Sequence, residues 1–317
     1  MDIVHTPVLL EESIAYLAPR EDGELMVDAT LGEGGHSEAF LSRFPTLKII
    51  GVDADPDIQK VARERLAPFG DRIHFYNGWS HDFFADLPQD IKRPDTILID
   101  LGVSLFHYEK SGRGFSFRKD EELDMRIDSS IGSSAADLIA SMKEAELADL
   151  IYHNAEERFS RRIARAIVDA RSRSRITTTA ALASIVEGAV PAAYRRGPIH
   201  AATRTFQALR IAVNGELDRL EELLETSLRA LEVGGRMGVI TFHSLEDRIV
   251  KNFFRDKNKD CTCPPEAPIC TCGGRRSVKL VTRKAVPPTD AEIRANPPSR
   301  SAKLRVVEKL LDEDGPR

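Results

Sequence analysis

A glycine turn between two apolar runs, followed at a set interval by an acid, constrains this chain most. Glu24–Asp28 (ELMVD) leads into Asp28–Ser37 (DATLGEGGHS), and Leu47–Val52 (LKIIGV) ends in Asp53. The stretch from Gly32 to Asp53 matches the roughly 20 residues that separate a glycine turn from a ribose-gripping acid in a doubly wound α/β domain. It places a nucleoside-bearing cofactor at the carboxyl edge of a parallel sheet. A turn that only packs strand on helix would not call for an acid at position 53.

The glycine order separates two cofactor classes. A dinucleotide turn reads G-x-G-x-x-G, its third glycine letting helix and strand approach. Here Gly32-Glu33-Gly34-Gly35 is followed by His36 and Ser37, so the third glycine is missing. A pyrophosphate would also meet Asp28 and Glu33. S-adenosylmethionine carries a sulfonium, an ammonium and one carboxylate, so nearby acids favour it, and helix-start amides can hold its carboxylate.

The rest of the chain fits one α/β core with an interruption. After a helix over 9–17, strands are expected at 25–29, 48–52, 72–76 and 96–100, with a helix over 57–66. Thr96–Asp100 is apolar throughout, as for a strand covered on both faces. Residues 102–134, rich in Gly, Ser, Asp and Arg, are too long for an ordinary connection and read as functional. Residues 135–190 read as helices only, and 203–231 as one long helix closed by Gly234-Gly235. A fifth strand follows at 236–242, then a helix over 245–254. The runs 277–282 and 302–308 could supply the last two strands. The expectation is a mostly parallel, doubly wound α/β sheet over 1–104 and 213–317 with a helical insert over 105–212.

The net charge of −5 rules out a chain basic overall, so any contact with nucleic acid must be local. No apolar run is long enough to span a bilayer and no signal peptide is visible, so the expected location is the cytoplasm, with no membrane partner. The four cysteines, Cys261, Cys263, Cys270 and Cys272, form two C-x-C pairs. Four thiolates this close could hold zinc, but a one-residue spacer strains chelation of one ion, so the alternative is reduced cysteines in a surface loop, and no metal is assigned.

Several residues carry candidate chemistry. Asp100 ends the fourth strand at the edge shared with Gly34 and Asp53. An exocyclic amine must localise its lone pair to attack a methyl group, and acceptors for its protons help; Asp100 could do this, or only grip the cofactor. Arg113 and Phe115, with Arg126 beyond, suit phosphate contact and base stacking, unless Phe115 is merely a loop anchor. Arg158, Arg161, Arg162, Arg165, Arg171, Arg173 and Arg175 form a basic helix that is either a phosphate-tracking surface or a solvated face. His243 invites a general-base role, though structural histidines are commoner, and Ser244 with Asp247 reads as a capping box.

Together these stretches resemble one family. Asp28–Ser37, Asp100–Ser104 (DLGVS), Arg113–Phe117 (RGFSF), Leu123–Arg126 (LDMR), Glu157–Phe159 (ERF), Arg162–Ile167 (RIARAI), Thr203–Ile211 (TRTFQALRI), Phe242–Arg248 (FHSLEDR) and Arg300–Arg305 (RSAKLR) look like the bacterial ribosomal RNA small-subunit methyltransferase H family, also called MraW. The resemblance runs from His5 to about Glu308. It implies a class I, Rossmann-like methyltransferase that uses S-adenosylmethionine to methylate N4 of a cytidine in the decoding region of 16S ribosomal RNA. Its partner would be the small ribosomal subunit; monomer and homodimer both stay open. The implied cofactor residues are Gly34, Gly35, His36, Asp53, Trp79, Asp100 and His107. Substrate contact is expected at Arg113, Phe115, Arg126, Arg162 and Arg204, and catalysis at Asp100. His107 stands where the family has glutamine, and Leu105 where it has serine. The rival readings are a nicotinamide-dependent oxidoreductase and a non-catalytic RNA-binding assembly factor.

Overall fold

The computed structural model describes residues 6–88, 90–130, 132–261, 263 and 274–312. The chain divides into two compact units, 1–102 with 219–317 and 103–218.

The first unit is built on a seven-stranded sheet in the order β3-β2-β1-β4-β5-β7-β6. The strands are β1 (Leu25–Asp28), β2 (Lys48–Asp53), β3 (Ile73–Asn77), β4 (Thr96–Asp100), β5 (Arg236–Thr241), β6 (Val278–Leu280) and β7 (Lys303–Lys309). Strands β1 to β5 pair in parallel, and β7 joins β5 and β6 antiparallel. The helices are α1 (Leu10–Leu17), α2 (Gly35–Arg43), α3 (Pro56–Leu66) and α4 (Ser80–Ala85), then α12 (Glu216–Ala230), α13 (Ser244–Lys257) and α14 (Asp290–Ala295).

Alternation along the strands explains the two covered faces. Val27, Ile50, Ile97 and Val239 pack with α12 and α13 through Leu224, Leu228, Val250 and Phe254. Their neighbours Met26, Ile49, Leu98 and Ile240 pack with α1, α2 and α3 through Leu17, Phe40 and Ala62. A strand buried on both sides needs apolar residues at every position, which is why these strands read as continuous runs. Because β2 and β4 flank β1, the strand order reverses there, which opens a crevice at the carboxyl ends of these strands.

The second unit is helical: α5 (Leu105–Glu109), α6 (Ala135–Ser141), α7 (Glu144–Ala155), α8 (Ser160–Arg171), α9 (Thr179–Ala189), α10 (Ala192–Arg195) and α11 (Thr203–Asn214). Its core joins Leu147, Ile151, Ile163, Ile167, Leu182 and Leu209.

The single helix expected over 203–231 is in fact two. Gly215 adopts φ 58 and ends α11 in a left-handed turn. Buried Asn214 fixes the break, donating to the Met125 and Arg210 carbonyls and accepting from the Ile127 amide. Arg210 reaches across it with two 2.8 Å bonds to Glu216. The helical period survives the break, so apolar spacing alone does not show it. The short helix α4 also escapes sequence reading, being under two turns long.

Candidate functional site

Three adjacent parallel strands each end in an aspartate: β2 in Asp53, β1 in Asp28 and β4 in Asp100. Parallel register brings these ends to one sheet edge. The turn after β1 then closes over them. Gly34 takes φ 79 as the residue before α2, and a Cβ there would lie 2.9 Å from Leu66. A Cβ on Gly35 would lie 2.6 Å from Pro7. Both glycines are therefore demanded by packing, and Gly34 by backbone shape as well.

Asp53 holds this turn. Its Oδ2 accepts from the Gly32 amide at 2.8 Å and its Oδ1 from the Asp55 amide at 2.8 Å. A carboxylate oxygen has two lone pairs, so each can also accept from a hydroxyl. His36 is buried, with Nε2 3.0 Å from the Val8 carbonyl and Nδ1 3.7 Å from Asp100 Oδ2. The carbonyl contact makes Nε2 the protonated nitrogen of the neutral ring.

Asp100 is fixed through its backbone, the amide donating to Thr30 Oγ1 at 2.6 Å. Its Oδ1 is buried without a hydrogen-bond partner among the described residues. Buried polar atoms are normally satisfied, so this oxygen is where a ligand is wanted. Neither Asp28 nor Asp100 pairs with a lysine or arginine among the described residues. Burial, then the charges of Asp28 and Glu246, holds the Asp100 carboxyl well above its usual range. Burial likewise raises Asp28 to about 6, against the opposing pull of the Ser37 hydroxyl and the Thr30 amide. A bound cation would offset both costs.

A folded-state value above the unfolded one means that ionising Asp28 costs stability as pH rises from about 4 to 7, on the order of 3 kcal/mol in total. Asp28→Asn is therefore expected to gain stability over wild type progressively across that window. Urea unfolding of the cofactor-free protein at several pH values reads the difference. A difference independent of pH would contradict this electrostatic account.

Trp79 precedes α4, with the Arg219 guanidinium 3.7 Å above its ring and its own Nε1 buried without a hydrogen-bond partner among the described residues. His243, by contrast, is a helix cap. Its Nδ1 accepts from the Glu246 amide at 3.4 Å, and Glu246 Oε2 accepts from the Phe242 and His243 amides. The expected Ser244–Asp247 box is thus displaced by one residue. Asp247 instead meets Lys303 at 3.0 Å and Arg305 at 2.8 Å.

In the helical unit the expected substrate residues fall into different roles. Phe115 is buried, its ring 5.1 Å from that of His107, so it anchors its loop and offers no free stacking face. His107 is buried beside it, with Nδ1 3.4 Å from Ser104 Oγ. Arg113 Nη1 donates to the Ile127 carbonyl at 2.6 Å, and Arg126 forms a two-pronged pair with Asp124 at 2.7 and 2.9 Å. In these contacts both arginines brace the loop. Arg204 donates to the Glu156 carbonyl at 3.1 Å, while Arg162 is exposed on α8 with no ion pair among the described residues. Arg171 is turned inward, onto the Ile139 and Met142 carbonyls at the end of α6. Cys270 and Cys272 lie outside the described residues, so the structure leaves the cysteine cluster undescribed.

Thr30, Ser37 and Arg219 are given no role by sequence, and Asp28 enters only as one of two acids beside the glycine turn. The signal for Asp28 is present: it ends an apolar strand run, as Asp53 and Asp100 do. The others depend on contacts between distant segments. The first-turn amides of α2, an acid at each strand end and an aromatic ring suit a ligand with a carboxylate, a cationic centre and a nucleoside.

A model of the MraW methylase family matches residues 2–310. The ribosomal RNA small subunit methyltransferase H of Treponema denticola is 57% identical over 310 residues, covering 98% of each chain. The protein of that name from Treponema pallidum is 42% identical over 352 aligned positions, covering 97% of this chain and 93% of the relative. That from Syntrophotalea carbinolica is 46% identical over 308 residues, covering 96% and 98%.

Proposed function

The chain belongs to the MraW methylase family, and from that premise we propose that it methylates N4 of a cytidine in the decoding region of 16S ribosomal RNA. S-adenosylmethionine is the donor and the small ribosomal subunit, assembled or partly assembled, is the substrate. The observation that carries the reading is the buried Oδ1 of Asp100, without a hydrogen-bond partner among the described residues, on the edge shared with Asp28 and Asp53.

Bound at this edge, S-adenosylmethionine supplies a methyl group on a sulfonium. The chain's residues do the rest. The α2 amides beside Gly34 and Gly35 hold a carboxylate, Asp53 holds ribose hydroxyls, and Trp79 gives the base an aromatic wall. His36 lies beside Asp100, its Nδ1 3.7 Å from Oδ2. His107 is assigned to the cofactor by its motif position alone. Asp100 Oδ1 accepts a hydrogen bond from the N4 amine, which draws its lone pair out of the ring and aims it at the methyl group. The same carboxyl, raised by burial, can take the proton that the methylated amine sheds. A second copy of the chain enters no step.

The test is transfer from radiolabelled donor to small subunits purified from a strain lacking this gene, with naked 16S RNA beside them. Label on subunits supports the reading. Cofactor binding with no label on either RNA form favours an assembly factor instead.

A further inference from the structure

Just before α8, Arg158 packs against the short helix α10. The Arg158 guanidinium lies 4.8 Å from the Phe159 ring centre and 4.9 Å from that of Tyr194. The two rings stand edge to face, 5.0 Å apart. Tyr194 is fixed from below, its hydroxyl donating to Glu157, which is fully buried and also accepts from the Phe159 amide. One acid is thus spent inside the protein on holding the aromatic platform, and Arg158 above it forms no ion pair among the described residues.

More positive charge surrounds it. Arg161, Arg162 and Arg165 on α8, and Arg195 and Arg196 at the end of α10, are exposed and, among the described residues, unpaired with any acid. Positions 161 and 165 share one helix face. Moreover, α8 has no acid in its first turn and no side-chain cap. Placing Arg161 and Arg162 at the positive end of a helix is the reverse of what an isolated helix favours. A protein of net charge −5 gathers cations here, with none of its described acids within ion-pair distance of them.

We propose that this corner is a docking surface for the phosphodiester backbone of RNA, with Arg158 held on its aromatic platform as the fixed point and the α8 arginines tracking successive phosphates. The proposal rests on the RNA-substrate reading above and adds where the helical unit grips. An aromatic-backed guanidinium is weakly hydrated and presents a rigid fork to phosphate oxygens. It reads no base, so docking here is indifferent to sequence.

The experiment compares wild type, the triple variant Arg161→Ala, Arg162→Ala, Arg165→Ala, and a charge-matched control, Lys279→Ala, Lys284→Ala, Arg294→Ala, on exposed sites of the other unit. Binding to undermethylated small subunits is titrated against salt, and methyl transfer is followed in parallel. Removing one arginine–phosphate pair should reduce the slope of log K against log salt by about 0.7–0.9. The triple variant is expected to flatten that slope by about 2 and weaken binding about tenfold or more near physiological salt, while the control matches wild type. An unchanged slope in the triple variant, or equal flattening in the control, overturns the proposal. The slope is readable without turnover. Failure of wild type to transfer methyl would refute the enzymatic reading and leave the slope to judge the surface.

Discussion

Replacing Asp100 with asparagine is expected to slow methyl transfer by about 10²–10³-fold, the cost of removing one preorganised charged acceptor from an active site. The fold should be untouched. The Asp100 amide is held by Thr30, and the strand pairs with Ile240 of β5 through its backbone. The substitution also removes a carboxyl that burial penalises, so stability near neutral pH should hold or rise. An asparagine can turn either its oxygen or its NH2 towards the ligand, and it carries no charge to localise the amine's electrons. Single-turnover transfer separates this from donor binding. A variant that transfers at the wild-type rate would move the chemistry away from β4.

Gly114→Ala should cost about 3 kcal/mol or more of stability. Gly114 has φ 72, and a Cβ there would lie 2.2 Å from the Glu122 carbonyl oxygen and 3.0 Å from the Thr179 methyl. Backbone atoms cannot swing aside as a side chain does. The loop would have to open, loosening the 3.0 Å bond from the Gly114 amide to Glu121. Gly112 supplies the control. It has φ 66 with nothing within 4 Å of its virtual Cβ, so alanine there meets only the left-handed penalty of about 1–2 kcal/mol. Urea unfolding of the two variants should rank them in that order. Equal losses would mean that backbone shape alone, and not the approach of residue 122, governs this loop.

The contrast between these glycines shows what sequence can carry. Both lie in one Gly-rich stretch, and spacing does not say which is crowded. The sheet edge is legible because its signals are local: a strand run, a glycine turn and an acid at the proper distance. Asp53 and Asp100 stand out in this way. Asp28 also ends a strand run and reads as an acid beside the turn, but its burial with the Ser37 hydroxyl depends on packing. Strands β1, β2, β4 and β5 are legible because burial on both faces forces apolar runs, whereas β7 shows only alternation and β3 and β6 are largely exposed. The break at Gly215 is not legible, since the helical period continues through it.

The arginines are harder. Composition marks Arg113, Arg126, Arg162 and Arg171 alike as basic. Only three-dimensional contacts divide those bonded to backbone carbonyls or to Asp124 from Arg162, which stays exposed. Phe115 is a similar case: an aromatic residue beside arginine in a glycine loop fits base stacking, yet it is buried, with the His107 ring against it. Sequence identifies candidate functional groups well and their remaining bonding capacity poorly.

The most direct test of the central claim is nucleoside mass spectrometry of 16S RNA from small subunits methylated by this protein. Transfer through an acceptor that holds the exocyclic amine must give N4-methylcytidine, and the Asp100→Asn protein should give little of it in the same time. A methyl group on a ring carbon, a ring nitrogen or a ribose hydroxyl would contradict the role assigned to Asp100.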